Sequence, residues 1–215
     1  MSAKSSRAAA PRDMDASPFS AILGALIARI PGAYAAALVD AIGESVDYAG
    51  KVDPFDIKVA AATWCIVLRD FETVPNLAGV RTTLVMRGTR QSVIARSLPE
   101  HYAVIVLLRR RAGFAPSARA LSACEHALAR EANWTLEDEL AWFAVTVECD
   151  ARRRPVSIVY GGLEEPVEVL GTVRGADFSL GPHERGFRVR LASGPEITII
   201  REPGDYWYAE ERVTL

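Results

Sequence analysis

The side chains that could perform chemistry are scattered along this chain of 215 residues. His101, His126 and His183 lie far apart, and none belongs to the H-E-x-x-H spacing that places two histidines on one zinc ion. The chain also lacks the G-x-x-x-x-G-K-S/T loop that cradles nucleotide phosphates and the G-x-S-x-G elbow of a nucleophilic serine. We therefore expect no metal site, no bound cofactor and no catalytic residue, so the sequence favours a protein that is not an enzyme.

The cysteines, Cys65, Cys124 and Cys149, are odd in number and form no C-x-x-C pair. Their spacing argues against a disulfide framework and against a cysteine-rich zinc site. No apolar run reaches the roughly 18–20 residues of a membrane-spanning helix, and residues 1–15 contain no apolar core of a secretory signal. These features predict a cytoplasmic protein without membrane insertion.

The charges of the chain are nearly balanced, with 25 Lys and Arg against 27 Asp and Glu and a net charge of −2. Because a basic excess drives most nucleic-acid affinity, nucleic acid is disfavoured as a partner. Two arginine runs could nevertheless dock an acidic partner or a phosphate backbone, since guanidinium forks pair carboxylates and phosphates. The runs comprise Arg109, Arg110, Arg111, Arg152, Arg153 and Arg154. Solubility alone would also explain them.

Helix caps, turn residues and apolar spacing divide residues 17–131 into helices and strands. Ser17-Pro18 and Asp53-Pro54 each combine an N-capping side chain with a proline at the first helical position, where its missing N–H is tolerated. The predicted elements are helix 18–30, strands 33–39 and 45–49, helix 54–71, strands 80–86, 91–96 and 102–108, and helix 117–131. Meandering antiparallel strands with helices on their faces predict an α/β sandwich.

The second predicted helix, residues 54–71, is apolar on nearly all sides. A broad apolar face contains Ile57, Ala60, Ala61, Trp64, Leu68 and Phe71. A second patch on nearly the opposite side contains Val59, Ala62, Thr63 and Ile66. A helix that covers one sheet needs only one apolar stripe, and leaving the second patch in water would favour association. We therefore expect the second patch to contact a partner surface.

From residue 133 the chain changes to short alternating segments separated by glycine, proline and aspartate. Evenly spaced short strands predict a small barrel or a strongly bent sheet. The predicted organisation is a disordered leader at residues 1–16, an α/β domain at 17–131, a connector at 132–141 and a small all-β, barrel-like domain at 142–215. The fold class is therefore α/β, or α+β.

Several short features occur together in the N-terminal part of the chain. They are a first helix ending in Ile30-Pro31-Gly32, a hairpin with Asp40-x-x-Gly43, the pair Ala49-Gly50, a helix begun by Pro54, and paired strands around Gly88. In these features residues 17–131 resemble the Roadblock family of dynein light chains and of bacterial regulators of Ras-like GTPases. The resemblance implies a three-layer sandwich, with a five-stranded antiparallel sheet, one helix on one face and two on the other. The C-terminal part is similar, more weakly, to small bacterial β-domains through Arg153-Arg154-Pro155 and Trp207-Tyr208.

The resemblance also implies homodimerisation through the second helix and the third strand, in a self-complementary twofold contact. The implied dimer interface contains Val59, Ala62, Thr63, Ile66, Arg81, Thr83 and Val85. The function that follows is a non-enzymatic, homodimeric regulatory or adaptor protein that binds and modulates a partner protein, in the first place a small Ras-like GTPase. One alternative is a nucleic-acid-associated module that uses the C-terminal β-domain and the arginine runs. Another is an enzyme whose site assembles only in three dimensions.

Overall fold

The computed structural model describes residues 12–74, 82–110, 112, 117–136, 140–160, 162–178 and 180–212. Backbone contacts divide the chain into two compact units. The first unit comprises Met1–Pro116 and Leu128–Thr135, and the second comprises Ser117–Ala127 and Leu136–Leu215. The domain limits predicted from the sequence stay predictions.

The first unit contains a five-stranded antiparallel sheet with the strand order β2-β1-β5-β4-β3. Its strands are β1 (Ala33–Val39), β2 (Ser45–Gly50), β3 (Thr83–Arg87), β4 (Gln91–Ser97) and β5 (Ala103–Arg109). β1 lies between β2 and β5, so that Ala37 is opposite Tyr48 of β2 and opposite Ile105 of β5. The sheet confirms the predicted number and antiparallel order of the strands.

Two helices of this unit begin at the prolines that the sequence indicates. In α1 (Pro18–Arg29) the Ser17 side chain accepts a hydrogen bond from the Phe19 amide at 3.1 Å. In α2 (Pro54–Glu72) the Asp53 side chain accepts one from the Phe55 amide at 3.0 Å. Each cap gives a partner to an amide that the first helical turn would otherwise leave unsatisfied.

α2 packs on the sheet through one stripe of its surface. The fully buried core residues of this stripe are Ile57, Ala61, Cys65 and Leu68. They join one core cluster with alternate residues of β1, among them Ala35 and Ala37. Because successive strand residues point to opposite faces, α2 covers a single face of the sheet. The sequence places Phe71 on the broad apolar face of this helix, but its side chain is 43% exposed. Phe71 lies beyond Leu68, the last residue of α2 that is buried.

The segment before α1 is held against β2 and α2 by polar contacts. Residues 1–11 of the predicted leader lie outside the described residues. Arg12 forms an ion pair with the buried Asp47 and lies 4.4 Å from the centre of the Tyr48 ring. The Asp13 carboxylate accepts hydrogen bonds from Lys58 of α2 at 2.7 Å and from the Tyr48 hydroxyl at 2.8 Å. These bonds fix residues 12 and 13 at the sheet edge that β2 forms.

The second unit contains a closed barrel of six antiparallel strands in the order β10-β11-β6-β7-β8-β9. The strands are β6 (Leu140–Cys149), β7 (Pro155–Tyr160), β8 (Leu163–Val173), β9 (Arg185–Leu191), β10 (Glu196–Glu202) and β11 (Tyr206–Arg212). Inward side chains such as Val189, Ile199 and Trp207 form a core of its own. The barrel confirms the all-β part that the short strands predict.

α3 (Ala118–Ala132) contributes its first residues to the second unit. There the buried Arg119 side chain forms ion pairs with Glu184 at 2.9 Å and with Glu202 at 3.0 Å. The Ser117 hydroxyl donates a hydrogen bond to the same Glu202 carboxylate at 2.9 Å. The buried carboxylate thus has both a cation and a hydroxyl as partners, as a buried charge requires. A short helix, α4 (Gly175–Phe178), also lies in this unit.

Candidate protein interface

The face of α2 that points away from the sheet carries large apolar side chains in contact with solvent. Phe55 is 72% exposed, Val59 is 47% exposed and Ile66 is 62% exposed. Their positions along the helix place them on one side of it. Because a helix on the surface of a sheet ordinarily presents polar side chains to water, this row is suited to contact with another protein.

Ala62 and Thr63 lie between Val59 and Ile66 on the same side of the helix. The exposed Thr63 donates its hydroxyl to the Val59 carbonyl oxygen at 2.8 Å. The hydroxyl is therefore satisfied within the helix, as is common for threonine at this spacing. Ala62 is half-buried, since the backbone of Gly43 in the β1–β2 turn lies close to it. The structure thus brings together the four α2 residues of the predicted interface, and their role in dimerisation stays a prediction.

β3 is an edge strand, because β4 is its only partner among the described strands. Its outer edge presents backbone groups that can pair with another strand. Val85 is 37% exposed, and the Thr83 hydroxyl accepts a hydrogen bond from Arg96 at 3.0 Å. Arg81, the remaining predicted interface residue, lies outside the described residues. Val85 pairs with Ile94, whereas its neighbour Leu84 packs in the core cluster of α2, so the Val85 side chain points to the sheet face opposite to α2. The structure therefore does not bring Val85 together with the outer row of α2. We call that row, comprising Phe55, Val59, Thr63 and Ile66, together with the backbone edge of β3, the α2–β3 surface.

Three exposed apolar residues in this region were not assigned to an interface from the sequence. Phe55 precedes Val59 by one helical turn, so the helical period extended by one step would have found it. Met86, which is 45% exposed, belongs to β3 itself. Ile42 lies in the β1–β2 turn, next to Gly43, which approaches Ala62 of α2. Folding brings this turn close to α2, and the local sequence does not indicate it. The apolar area is therefore larger than the sequence indicates.

The two arginine runs lie in different units, each at the end of a strand. Arg109 ends β5 and Arg110 follows it; both are exposed, and Arg111 lies outside the described residues. Residues 152–154 are exposed in the turn between β6 and β7. The Asp150 carboxylate accepts hydrogen bonds there from the amides of Arg152 at 2.8 Å and Arg154 at 2.9 Å. This turn therefore has a defined backbone, and the docking role of both runs stays a prediction.

Ionisable groups beside the α2–β3 surface have shifted pKa values with identifiable causes. The hydrogen bond from Lys58, next to Val59 in α2, lowers the pKa of Asp13. On the inner side of α2, burial raises the pKa of the Cys65 thiol. Among the residues that the structure describes, no three His, Cys, Asp or Glu side chains are grouped to hold a metal ion. No helix in the described ranges has the length and apolarity to cross a membrane.

No protein-family model matches this chain, and no curated protein matches it. Solved structures similar to it include a Roadblock/LC7 domain from Streptomyces avermitilis, 17% identical over 53% of this chain and 93% of that chain, with a TM-score of 0.41. The gliding protein MglB from Thermus thermophilus is 19% identical over 56% of this chain and 94% of that chain, with a TM-score of 0.45. MglB from Myxococcus xanthus is 14% identical over 56% and 98%, with a TM-score of 0.46. In each case the likeness covers about half of this chain, at less than 20% identity and with a TM-score below 0.5.

Proposed function

We propose that this protein is a cytoplasmic, non-enzymatic homodimer that acts as a regulatory or adaptor protein and modulates a small Ras-like GTPase. The observation that supports this proposal is the row of exposed apolar side chains on α2, with Phe55, Val59 and Ile66 in contact with solvent. Such a row in water favours association with another apolar surface. A second copy of the same row is the simplest such surface.

A twofold contact would place α2 against α2 and β3 against β3, because the two sides of such an interface are the same patch. At about 1.5–3 kcal/mol for full burial of one such side chain, the exposed fractions of Phe55, Val59 and Ile66 correspond to roughly 3–5 kcal/mol per protomer. Association itself costs about 4–15 kcal/mol, which is comparable to the contribution of two protomers. Pairing of the two β3 edges would supply the further stabilisation that a durable dimer needs.

The choice of a small Ras-like GTPase as the partner rests on the resemblance of residues 17–131 to the Roadblock family. The sequence has no phosphate-binding loop of its own, so the partner would bring the nucleotide. The nucleic-acid alternative would use the C-terminal β-domain and the arginine runs. The net charge of −6 in residues 133–215, from 9 basic and 15 acidic side chains, weighs against it.

Affinity capture from the source cell with the tagged full chain, followed by mass spectrometry, tests the partner class. We expect a small GTPase among the enriched proteins, and we expect the purified pair to bind with different affinities in the GTP-loaded and GDP-loaded states. The variant Ile66→Asp should lose this binding if the partner needs the dimer. The variant Leu163→Asp, at a 70% exposed apolar residue of the barrel, is the matched control. Enrichment of no GTPase, together with no binding to purified candidates, would contradict the partner assignment.

A further inference from the structure

A basic cavity lies within the barrel unit. Its volume is about 350 Å³, and its wall is formed by the β6–β7 turn, by the segment that leads into β9 with the first residue of that strand, and by the end of β10 with the β10–β11 turn. Its charged and titratable lining residues are Arg153, His183, Arg185, Arg201, Glu202 and Asp205. The three arginines of the lining come from the β6–β7 turn, the start of β9 and the end of β10, which are distant in the sequence.

The two carboxylates of the cavity form ion pairs within the protein, whereas the side chains of two of its arginines do not. Arg201 forms an ion pair with the Asp205 carboxylate. Glu202 is paired with Arg119, outside the lining, at 3.0 Å. Within the described residues, the side chains of Arg153 and Arg185 form no hydrogen bond and no ion pair. Three arginines against the two carboxylates of Glu202 and Asp205 give these side chains of the cavity lining a net charge of +1.

The backbone conformation of the cavity wall is a second, independent observation. Arg153 has a φ of 60° and Asp205 a φ of 62°, both in the left-handed region that non-glycine residues rarely adopt. These two are the non-glycine residues with positive φ that are described in the second unit, and both line this cavity. Aspartate adopts this region readily in turns, and Arg153 belongs to a hairpin turn in which its amide donates a hydrogen bond to the Asp150 carbonyl oxygen at 2.9 Å. The turns therefore account for both backbone conformations and fix the positions from which the Arg153 and Asp205 side chains extend.

We propose that this cavity binds a phosphate monoester dianion, with the guanidinium groups of Arg153 and Arg185 as the principal donors and Arg201 and His183 beside them. A phosphate monoester carries a charge of about −1.5 to −2 at pH 7 and has three strong acceptor oxygens, so it can accept hydrogen bonds from both the Arg153 and the Arg185 guanidinium groups. A single carboxylate would compensate only one of the two available guanidinium forks. The dianion is either a free phosphate compound or a phosphorylated side chain of a partner protein. This site goes beyond the proposed regulatory function and does not depend on dimerisation.

Isothermal titration calorimetry of the full chain with inorganic phosphate, phenyl phosphate and a phosphoserine peptide tests the site. The unphosphorylated peptide and acetate are the ligand controls. Arg153→Gln and Arg185→Gln should each weaken phosphate binding about tenfold or more, because a hydrogen bond to a charged group is removed. Both side chains are exposed, so these variants should fold normally. Arg190→Gln is the matched control, since the exposed Arg190 pairs with Glu168 and Glu196 outside the cavity.

The relative affinities of the phosphate ligands would support the site and show whether the bound phosphate comes from a protein or from a small compound. Tighter binding of the phosphoserine peptide than of phenyl phosphate indicates a phosphorylated protein, and equal binding indicates a small phosphate compound. Binding should also shift the amide resonances of Gly204 and Asp205, which line the cavity. The proposal is overturned if millimolar phosphate gives neither heat nor amide shifts, or if Arg190→Gln weakens binding as much as Arg185→Gln. A wild-type protein that binds phosphate but sediments as a monomer would contradict the homodimer and leave this site standing.

Discussion

The substitution Ile66→Asp is the sharpest perturbation of the α2–β3 surface. Ile66 is 62% exposed in a single chain, so the substitution should leave the folding of that chain intact. Loss of the burial of Ile66 in a dimer weakens association by about 1–2 kcal/mol per protomer. An unpaired carboxylate in an interface without water weakens it by roughly 2 kcal/mol or more in addition. A twofold dimer contains the change twice. The dimer should therefore weaken by roughly 6 kcal/mol or more, which is over ten-thousand-fold in Kd.

Sedimentation velocity and light scattering across the micromolar range provide the assay. The wild-type protein should have twice the 23.4 kDa mass of one chain, and Ile66→Asp should have the mass of one chain. Leu163→Asp, which changes a similarly exposed apolar residue of β8, should remain dimeric. A dimer of Ile66→Asp with unchanged affinity would refute the assignment of the interface to α2. Wild-type protein that stays monomeric throughout would refute the homodimer itself.

Three further perturbations test other parts of the structure. Arg119→Ala leaves the buried Glu202 without its cation, so urea unfolding should show that the free energy of unfolding falls by about 3–5 kcal/mol. The control Arg188→Ala, at an exposed pair with Glu196, should lower it by less than about 1 kcal/mol. Equal losses in the two variants would contradict the difference in burial. A thiol reagent should modify the exposed Cys149 in the native protein but reach the buried Cys65 and Cys124 only after unfolding. Rapid native labelling of Cys65 would show that the inner face of α2 is not packed against the sheet. The hydrogen bond from Lys58 lowers the pKa of Asp13 below 3.8, so its stabilising effect is present above that value and is lost as the pH falls through the lowered pKa. The difference in Tm between wild type and Asp13→Asn should therefore vanish in strong acid, and a difference independent of pH would exclude this ion pair as its cause.

The helices and strands could be predicted from the sequence because their signals are local. The caps at Ser17-Pro18 and Asp53-Pro54 depend on residues within one helical turn, and both helices begin at the proline. The outward row of α2 was visible in the same way, because Val59 and Ile66 share one side of the helical period. Phe55 was missed, although the same periodicity extended by one turn includes it.

Contacts between distant parts of the chain could not be predicted in this way. Arg119 and Glu202 are 83 residues apart, and nothing in the sequence around either one indicates the other. The cavity around Arg153 and Arg185 likewise depends on how the closed barrel brings three connections together. From the sequence, Arg153 is only part of a charged run, for which solubility is the favoured explanation. A single sequence contains the periodicity of an element but not the pairing of elements in space.

An isotope-filtered NOE experiment on a mixture of methyl-labelled and unlabelled chains tests the homodimer most directly. A dimer formed through the α2–β3 surface predicts NOEs from the methyl groups of Val59 and Ile66 in one copy to protons of the other copy. A sample that shows no intermolecular NOE from these methyl groups, and whose mass equals that of one chain, would contradict it.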